Sequence, residues 1–313
     1  MRRRLTLLGV IVLAAILLAA GPAGQRADMQ LPDIGPPVPW TVKPLNNEDG
    51  AFHFAIISDL TGGERPGVFQ KAVEKLNLLQ PEFVMSIGDL IQGYSSNQRV
   101  LAAQWKSFDR RLAGLQMRFF HVPGNHDIGG PSPAVARKVW AAKLGPSYYH
   151  FVYRNVLFLC LNSEQFAEAK ADPAEVEKQV AYVRKALDDN RDVRWTFIFM
   201  HRPLWVFPVG RWPDVEKLLA GRKHTVFCGH IHRYTKYSRH GQSYINLATT
   251  GGAMGASTVL KEGRFDHFAW VTVKDSGPVI ANVLLDGVLD ENVVTEQMVR
   301  DRLKATKLKE LLP

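Results

Sequence analysis

Cysteine is scarce in this sequence, and that scarcity excludes two classes of small protein. Only 2 of the 313 residues are cysteine, too few for a disulfide scaffold or for a zinc module built on thiolates. Cys160 and Cys228 both lie in apolar runs, so we expect buried free thiols. With 46% hydrophobic and 22% charged residues, the chain has a globular composition and enough length to bury a substantial core.

Several motifs of common enzyme families are also missing. The sequence has no Gly-x-Ser-x-Gly elbow, no Gly-x-x-x-x-Gly-Lys phosphate loop and no dinucleotide fingerprint. The formal net charge is +9, yet no stripe of Lys and Arg interleaved with aromatic residues occurs. We therefore do not expect nucleic acid as a partner.

Residues 1–27 follow the order of a secretory signal. Three arginines precede an apolar run over residues 5–20, and small residues follow it. The segment holds four basic residues and no acid, so the remainder has 35 basic against 30 acidic residues, a net charge of +5. The apolar run is shorter than the roughly 20 residues that span a bilayer, so we expect an exported, periplasmic or extracellular protein. Because no clean Ala-x-Ala cleavage site is present, a membrane anchor at residues 5–20 is the alternative.

The rest of the chain divides into an arm, one domain and a tail. Five prolines within residues 28–50 predict an extended arm or linker. From Ala51, short apolar runs alternate with amphipathic helical stretches, which predicts an α/β fold over residues 51–290. The charged amphipathic pattern of residues 291–313 predicts a C-terminal helix packed on the body.

Two further patterns set the expected elements within the domain. Helical faces recur over residues 68–79, 105–115 and 176–187, the last opened by an Asp-Pro-x-Glu capping sequence. After about residue 230, hairpins are predicted over residues 234–247 and 268–285.

The strongest functional signal is a coincidence that occurs five times. Each of five apolar, strand-like runs is followed at once by residue types that ligate metals. Those residues are Asp59, Asp89, Asn125, His201, His230 and His232. Ligands gather beyond the carboxyl ends of the strands in open α/β sheets. If the five runs are neighbouring strands, their terminal side chains converge on one crevice.

Such a crevice would hold carboxylates, an amide oxygen and imidazoles, with no thiolate. This donor set suits Mn, Fe or Zn, and a shared carboxylate can hold two ions about 3.5–4 Å apart. Gly88, Gly124 and Gly229 fit sharp turns beside an ion, because glycine has no Cβ. Each motif taken singly has a structural explanation as a turn, a helix cap or an exposed pair. Their joint order at strand ends favours a metal site.

These residues resemble the signature of the calcineurin-like metallophosphoesterases. The similarity covers residues 51 to about 235 and is most specific in Gly-Asn-His-Asp, from Gly124, and in Gly-His-x-His, from Gly229. It implies a four-layer α/β/β/α sandwich that carries two metal ions. The implied ligands of one ion are Asp59, Asp89 and His232, and those of the other are Asp89 as a bridge, Asn125, His201 and His230.

The resemblance also implies the chemistry. A metal-bound hydroxide would attack phosphorus, and His126 would act as an acid at the leaving group or hold the phosphoryl group, with Asp127 orienting it. Arg202 and Arg65 are candidate phosphate contacts beside the ligands. The remaining candidates for substrate contact are Tyr94 and Trp205, the latter as a platform for stacking.

One departure from the family pattern affects the first metal site. The usual Asp-x-His opening is here Asp59-Leu60-Thr61, so one imidazole is missing. Purple acid phosphatases also lack it but place a tyrosine three residues after the bridging aspartate, where this chain has Gln92. Thr61 and Gln92 are therefore candidate ligands or supporting residues. We expect a weaker, oxygen-rich first site that favours Mn or Fe over Zn.

Three functions compete on this basis. The leading interpretation is an exported metal-dependent phosphoesterase that hydrolyses phosphomonoesters or phosphodiesters of small molecules. A Ser/Thr phosphoprotein phosphatase is the second, and the export signal argues against it. The third is a binding module that has lost turnover; Thr61 favours it, whereas His126 and Asp127 oppose it.

Overall fold

Strands make up the centre of the computed structural model, which describes residues 49–168, 170, 172–206, 210–255 and 257–305. These residues belong to the unit Asn47–Pro313. The predicted signal or anchor over residues 1–27 and nearly all of the predicted arm over residues 28–50 lie outside the described residues. Within the described ranges, no helix combines the length and apolarity needed to cross a membrane.

Twelve strands are present in the described chain. They are β1 (Phe52–Ile57), β2 (Phe83–Ser86), β3 (Arg118–Phe120), β4 (Tyr149–Tyr153), β5 (Val156–Cys160), β6 (Trp195–Phe199), β7 (His224–Cys228), β8 (Thr235–Arg239), β9 (Gln242–Asn246), β10 (His267–Lys274), β11 (Gly277–Leu284) and β12 (Val288–Asp290). One sheet has the order β12-β11-β10-β1-β2-β3, and the other has the order β4-β5-β6-β7-β9-β8.

Parallel pairs occupy the part of each sheet that leads to the predicted site. In the first sheet β1 pairs with β2 and β2 with β3 in parallel, whereas β10 lies antiparallel to β1. In the second sheet β5, β6, β7 and β9 are parallel neighbours, and β4 and β8 are antiparallel strands at the two edges. Parallel strands end at the same edge, so each sheet presents a row of strand ends.

Eight α-helices flank these sheets in the described chain. They are α1 (Val68–Leu79), α2 (Gln98–Leu112), α3 (Asn125–Ile128), α4 (Pro133–Leu144), α5 (Ser163–Ala167), α6 (Pro173–Asp189), α7 (Trp212–Leu218) and α8 (Glu296–Ala305). The three helical patterns in the sequence correspond to α1, α2 and α6. Helix α6 begins as predicted, since the Asp172 side chain accepts a hydrogen bond from Glu175 N.

Three apolar clusters separate four layers. The central cluster lies between the two sheets and includes the fully buried Phe54 and Phe158. A second cluster, around Trp105, lies between the first sheet and helices α1, α2 and α4. The third, around Val183, lies between the second sheet and helices α6 and α7. The structure therefore confirms the predicted four-layer α/β/β/α sandwich.

The five strand-like runs do not form one sheet, so their ends do not meet as neighbouring strands of a single sheet. Strands β1, β2 and β3 belong to the first sheet, whereas β6 and β7 belong to the second. The two rows of strand ends still meet, because His230 N, after β7, donates to Asp59 Oδ1, after β1, at 3.0 Å. Convergence thus comes from the packing of two sheets.

The C-terminal part differs in detail from the prediction. Both predicted hairpins are present, as β8–β9 and β10–β11. Helix α8 begins at Glu296 rather than at residue 291, because the preceding residues run along β8: Lys236 N donates to Val294 O, and the Val294 side chain is buried in the central cluster. Residues 306–313 of the predicted helix lie outside the described residues.

The cysteines are buried free thiols, as expected. Cys160 ends β5 and faces the central cluster, while Cys228 ends β7 and faces the outer helical cluster. Strand β6 lies between them, and the two thiols point to opposite faces of the sheet, which excludes a disulfide between them.

The aromatic packing between the sheets generates a test of the fold. Phe158 is fully buried, and its ring lies 5.2 Å from the ring centroids of both Phe54 and Phe83 across the interface. We expect Phe158→Ala to lower the free energy of unfolding by about 3–5 kcal/mol, because it leaves a cavity. Urea denaturation followed by circular dichroism measures this. Val279→Ala, at a side chain 56% exposed, is the control and should change stability by less than about 0.5 kcal/mol. Equal losses in the two variants would contradict the assignment of the core.

Candidate metal centre

The six predicted ligands lie together at the edge where the two sheets meet. Asp59 follows β1, Asp89 follows β2, and Asn125 opens α3 just after β3. From the second sheet, His201 follows β6, and His230 with His232 follows β7. The side chains of Asp59, Asp89, Asn125 and His201 are buried.

Two groups of ligands share one carboxylate. Ligand atoms of Asp89, His201 and His230 lie within 4.8 Å of one another, and so do ligand atoms of Asp59, Asp89 and His232. Asp89 belongs to both groups. This is the arrangement of a site for two ions bridged by a carboxylate.

The tautomer of His201 supports a cation at the second group. Its Nδ1 lies 2.9 Å from the carbonyl oxygen of Ile87, so Nδ1 carries the proton that is donated there. Nε2 then faces Asn125 Oδ1 at 2.9 Å and Asp89 Oδ2 at 3.2 Å. A neutral imidazole would direct a lone pair at these two acceptor oxygens, which is unfavourable unless a bound cation or a proton on Nε2 lies among them.

His232 shows the same arrangement at the first group. Its Nδ1 donates to the carbonyl oxygen of Ala253 at 2.6 Å, which leaves Nε2 facing Asp59 Oδ1 at 3.2 Å. Such hydrogen bonds to the outer nitrogen are what orient histidine ligands of metals. The donor set therefore fits a cation at both groups.

The electrostatics of the site favour positive charge. Burial alone would lower the pKa of His201, but the carboxylates of Asp89 and Asp59 outweigh it and raise that pKa to about 10. Burial would likewise raise the pKa of Asp59, yet the hydrogen bond from His232 and the charges of His201 and His232 hold it below its usual range. Burial and the charges of His201 and Arg202 lower the pKa of His230 to about 3. The pocket thus keeps the carboxylate of Asp59 ionised and favours positive charge beside it.

The motif glycines are explained by close contact with the carboxylate ligands. A Cβ on Gly124 would collide with Asp89 Oδ1, and a Cβ on Gly229 would collide with Asp59 Oδ2. Backbone strain is also present at the site, because Asp89, His230 and His232 all have positive φ, at 56°, 72° and 56°. Non-glycine residues adopt this conformation at a cost, and such residues cluster at functional sites.

Asp127 does not orient His126, which corrects the expectation from the resemblance. Its carboxylate accepts hydrogen bonds from the backbone N–H groups of Asp89, Leu90 and Gly124, all at 2.8–2.9 Å. The residue is fully enclosed and fixes the loop that carries the bridging aspartate. His126 is oriented instead by the carbonyl oxygen of Gln92, 2.7 Å from its Nδ1.

Residues 249–253 support the site through hydrogen bonds. Thr250 N and Gly252 N donate to the carbonyl oxygen of Asp59 at 3.1 and 3.0 Å, and Thr250 Oγ1 accepts from Ser58 N at 3.0 Å. Ala253 supplies the carbonyl that fixes His232. Because these contacts are long-range in sequence, the segment could not be recognised as part of the site from its composition.

Thr61 and Gln92 pair with each other where the family has an imidazole. Thr61 Oγ1 donates to Gln92 Oε1 at 2.7 Å, and Thr61 is buried whereas Gln92 is exposed. Neither residue contributes a charged group there. The oxygen-rich character of the first site stays a prediction.

Tyr94 lies between the second group and His126. Its hydroxyl accepts a hydrogen bond from Asn125 Nδ2 at 2.7 Å, and its ring meets the His126 ring edge-on with centroids 4.4 Å apart. The side chain is 44% exposed, so Tyr94 is accessible to a molecule at the site.

Arg202 is held in the site by a residue that the sequence reasoning missed. Its Nε lies 2.8 and 3.0 Å from the two carboxylate oxygens of Glu164, a buried side chain, and Nη1 lies 2.9 Å from His230 Nε2. Glu164 follows β5 just as the ligands follow their strands. The same strand-end signal could have identified it.

Two predicted substrate contacts do not face the centre. The guanidinium of Arg65 forms a two-point ion pair with Asp266, at 2.7 and 2.5 Å, and its Nε donates to Gly252 O. Trp205 is only 8% exposed and packs edge-on against Tyr237 and Tyr244 in the outer cluster. Neither a free phosphate contact at Arg65 nor a stacking platform at Trp205 agrees with this packing.

Comparison with known proteins identifies the family. The family model for calcineurin-like phosphoesterases matches residues 52–234, which is more than half of the chain. The chain therefore belongs to the calcineurin-like phosphoesterase family.

Curated relatives are phosphatases of moderate similarity. The chain is 27% identical to the serine/threonine-protein phosphatase CPPED1 of Mus musculus over 207 residues, covering 59% of this chain and 63% of the relative. The corresponding protein of Danio rerio is 26% identical over 208 residues, with 60% and 67% coverage. This chain thus spans slightly less than two thirds of the mouse relative.

Solved structures share the fold at low identity. A dimetal phosphatase from Danio rerio has a TM-score of 0.57 at 14% identity, covering 76% of this chain and 98% of that one. A purple acid phosphatase from yellow lupin has a TM-score of 0.57 at 15% identity, covering 78% and 55%. GAP50, the anchor in the inner membrane complex of Plasmodium, also has a TM-score of 0.57 at 15% identity, covering 84% and 95%.

The shared carboxylate generates a prediction about metal content. We expect Asp89→Asn to lose both ions and Asp59→Asn to lose only one, because Asp89 belongs to both ligand groups and Asp59 to one. Each variant is dialysed against Mn, and mass spectrometry then measures the number of metal ions bound per chain. Mn titration of the unaltered protein should show one tight and one weaker site, at least about tenfold apart in affinity.

Asp109→Asn is the matched control, since that carboxylate lies on α2 and is 47% exposed. It should retain the metal content of the unaltered chain, and circular dichroism establishes that each variant is folded. Retention of two ions by folded Asp89→Asn, or two sites of equal affinity, would contradict the assignment.

Proposed function

We propose that this chain is an exported phosphatase that hydrolyses phosphomonoesters of small molecules with two ions of Mn or Fe. The observation that carries the catalytic part is the pair of ligand groups that share Asp89 directly beside His126. The export part rests on the arginine-led apolar pattern of residues 1–27.

Bound ions would polarise the phosphoryl group and lower the pKa of a water molecule at the site. The chain itself supplies the remaining functions. His126 Nδ1–H donates a hydrogen bond to Gln92 O, so Nε2 is the nitrogen that remains to contact a substrate oxygen. In the protonated state, Nε2 can transfer a proton to the leaving oxygen.

Arg202 supplies hydrogen-bond donors that favour a monoester. Glu164 contacts only Nε of the guanidinium, which leaves the terminal Nη groups for phosphate oxygens, and a monoester offers one more unesterified oxygen than a diester. Glu164 also holds the guanidinium in place, so little conformational entropy is lost when it binds phosphate. We assign Arg202 to phosphate binding and Glu164 to positioning it.

Two alternatives retain specific support. The curated relatives are named as serine/threonine-protein phosphatases, which supports a phosphoprotein substrate. Thr61 in place of an imidazole supports a binding module without turnover. The retention of His126 beside a complete second ligand group favours an enzyme over that module.

Activity tests separate these functions. We expect the Mn-loaded protein to hydrolyse p-nitrophenyl phosphate faster than bis-p-nitrophenyl phosphate or a phosphoserine peptide. His126→Gln should lower kcat by about 10²–10⁴-fold with unchanged metal content, because it removes proton transfer while Asp89 and the other ligands remain. Steady-state kinetics and metal analysis of the same samples measure this.

The matched control is His240→Gln, since the His240 ring is 64% exposed and lies outside the cluster. It should leave kcat unchanged. Preference for the phosphopeptide would establish the protein phosphatase, and binding of phosphate without turnover of any substrate by a doubly loaded protein would establish the binding module.

Export generates a separate prediction. A full-length chain with a C-terminal tag, expressed in a Gram-negative host, should appear in the periplasmic fraction after cleavage near residues 20–28. Leu13→Arg interrupts the apolar run and should keep the protein in the cytosol. Cell fractionation and N-terminal sequencing measure both. Uncleaved protein in the membrane fraction would establish the anchor, and a soluble, uncleaved cytosolic protein would exclude export.

A further inference from the structure

A shallow cavity lies next to the metal centre on the side of the Gly-His-x-His turn. It has a volume of about 350 Å³, and its walls include His230, His232, Arg233 and Arg264. Since two of these residues are the histidines of the ligand groups, a molecule in the cavity lies directly beside the site of hydrolysis. We refer to it as the arginine cavity.

Arg233 directly follows His232 and is exposed. In the part of the chain that the structure describes, no carboxylate forms an ion pair with it, whereas Arg65, Arg202 and Arg239 are each paired. Its backbone is fixed, because Arg233 O accepts a hydrogen bond from the buried side chain of Asn246 at 2.7 Å. A charged group on a fixed backbone therefore stands unneutralised at the rim of the cavity.

Arg264 is the second arginine of the cavity wall. Its side chain is 22% exposed, and Nη2 lies 3.1 Å from the carboxylate of Glu262, which is 39% exposed. Nη1 lies close to Gly255, another residue of the wall: a Cβ at that glycine would be 3.0 Å from it.

The charge balance of the cavity is positive. Asp266 is neutralised by Arg65, and Glu262 offsets only one of the two cavity arginines. Ions at the adjacent ligand groups would add to this positive field. An anionic group is the chemical complement of such a wall, and arginine binds carboxylates and phosphates with two parallel hydrogen bonds.

We propose that the arginine cavity is a second anion subsite, so the preferred substrate is a phosphate ester that carries a further carboxylate or phosphate close to the scissile group. This rests on the proposed function, because the phosphoryl group is taken to lie at the metal centre. Arg233 and Arg264 determine specificity, and neither belongs to the ligand groups.

Binding of two phosphonates that cannot be hydrolysed tests the subsite without turnover. The full chain loaded with Mn is titrated calorimetrically with phenylphosphonate and with 3-carboxyphenylphosphonate. We expect the carboxylated compound to bind about tenfold more tightly. Arg233→Gln and Arg264→Gln should each reduce that ratio severalfold while leaving the affinity for phenylphosphonate within about twofold.

Arg184→Gln provides a matched loss of charge, because Arg184 is an exposed residue of α6 and lies outside the cavity. It should keep the tenfold ratio. Equal affinity of the unaltered protein for the two phosphonates, or an equal effect of all three substitutions, would overturn the subsite. Binding of phenylphosphonate shows whether the phosphoryl site exists. Failure of the proposed function, in which neither phosphonate binds, is therefore distinguishable from failure of the subsite alone, in which both bind equally.

Kinetic measurements identify the source of the second anion. The kcat/KM ratio is compared for phenyl phosphate against 3-carboxyphenyl phosphate, and for phosphoserine peptides that carry Glu or Gln next to the phosphoserine. If Arg233→Gln lowers the kcat/KM ratio of the aryl pair only, the substrate is a small molecule. If it lowers the ratio of the peptide pair, the substrate is an acidic phosphopeptide. Ratios near one in both pairs would overturn the proposal.

Discussion

The sharing of Asp89 between two groups of ligands is the constraint that the rest of the structure satisfies. Two buried carboxylates and three imidazoles within a few ångströms would be unfavourable without positive charge among them. The ligand nitrogens and oxygens of each group face one another, which places them where a bound cation would satisfy them. Outer hydrogen bonds from His201 to Ile87 and from His232 to Ala253 hold that orientation.

Much of the surrounding loop structure follows from holding these ligands. The Asp127 carboxylate accepts hydrogen bonds from backbone N–H groups of the Asp89 loop. Backbone N–H groups within residues 249–252 donate to the carbonyl oxygen of Asp59. Positive φ at Asp89, His230 and His232 shows that the backbone is bent to place the side chains. The aromatic cluster between the two sheets stabilises the fold and so compensates for that strain.

The same architecture explains how charge is distributed around the centre. Glu164 holds Arg202 against His230 on one side, while Arg233 and Arg264 line the cavity on another. Arg65, equally close in sequence to a ligand, is withdrawn by its pair with Asp266. The position of the carboxylate partner therefore decides whether an arginine is held at the site, as Arg202 is by Glu164, or away from it, as Arg65 is by Asp266.

The sequence by itself determined the ligand types, their order and the α/β class, and the resemblance to a known family implied the four layers. Apolar runs that end in Asp, Asn or His can be read locally, because strand pattern and ligand chemistry are both properties of short segments. Only the tertiary structure decided that the strand ends come from two sheets, that Asp127 fixes a loop rather than His126, and that Trp205 is buried. Those facts depend on contacts between residues distant in sequence, such as His230 and Asp59, which are 171 positions apart, and no local pattern encodes them.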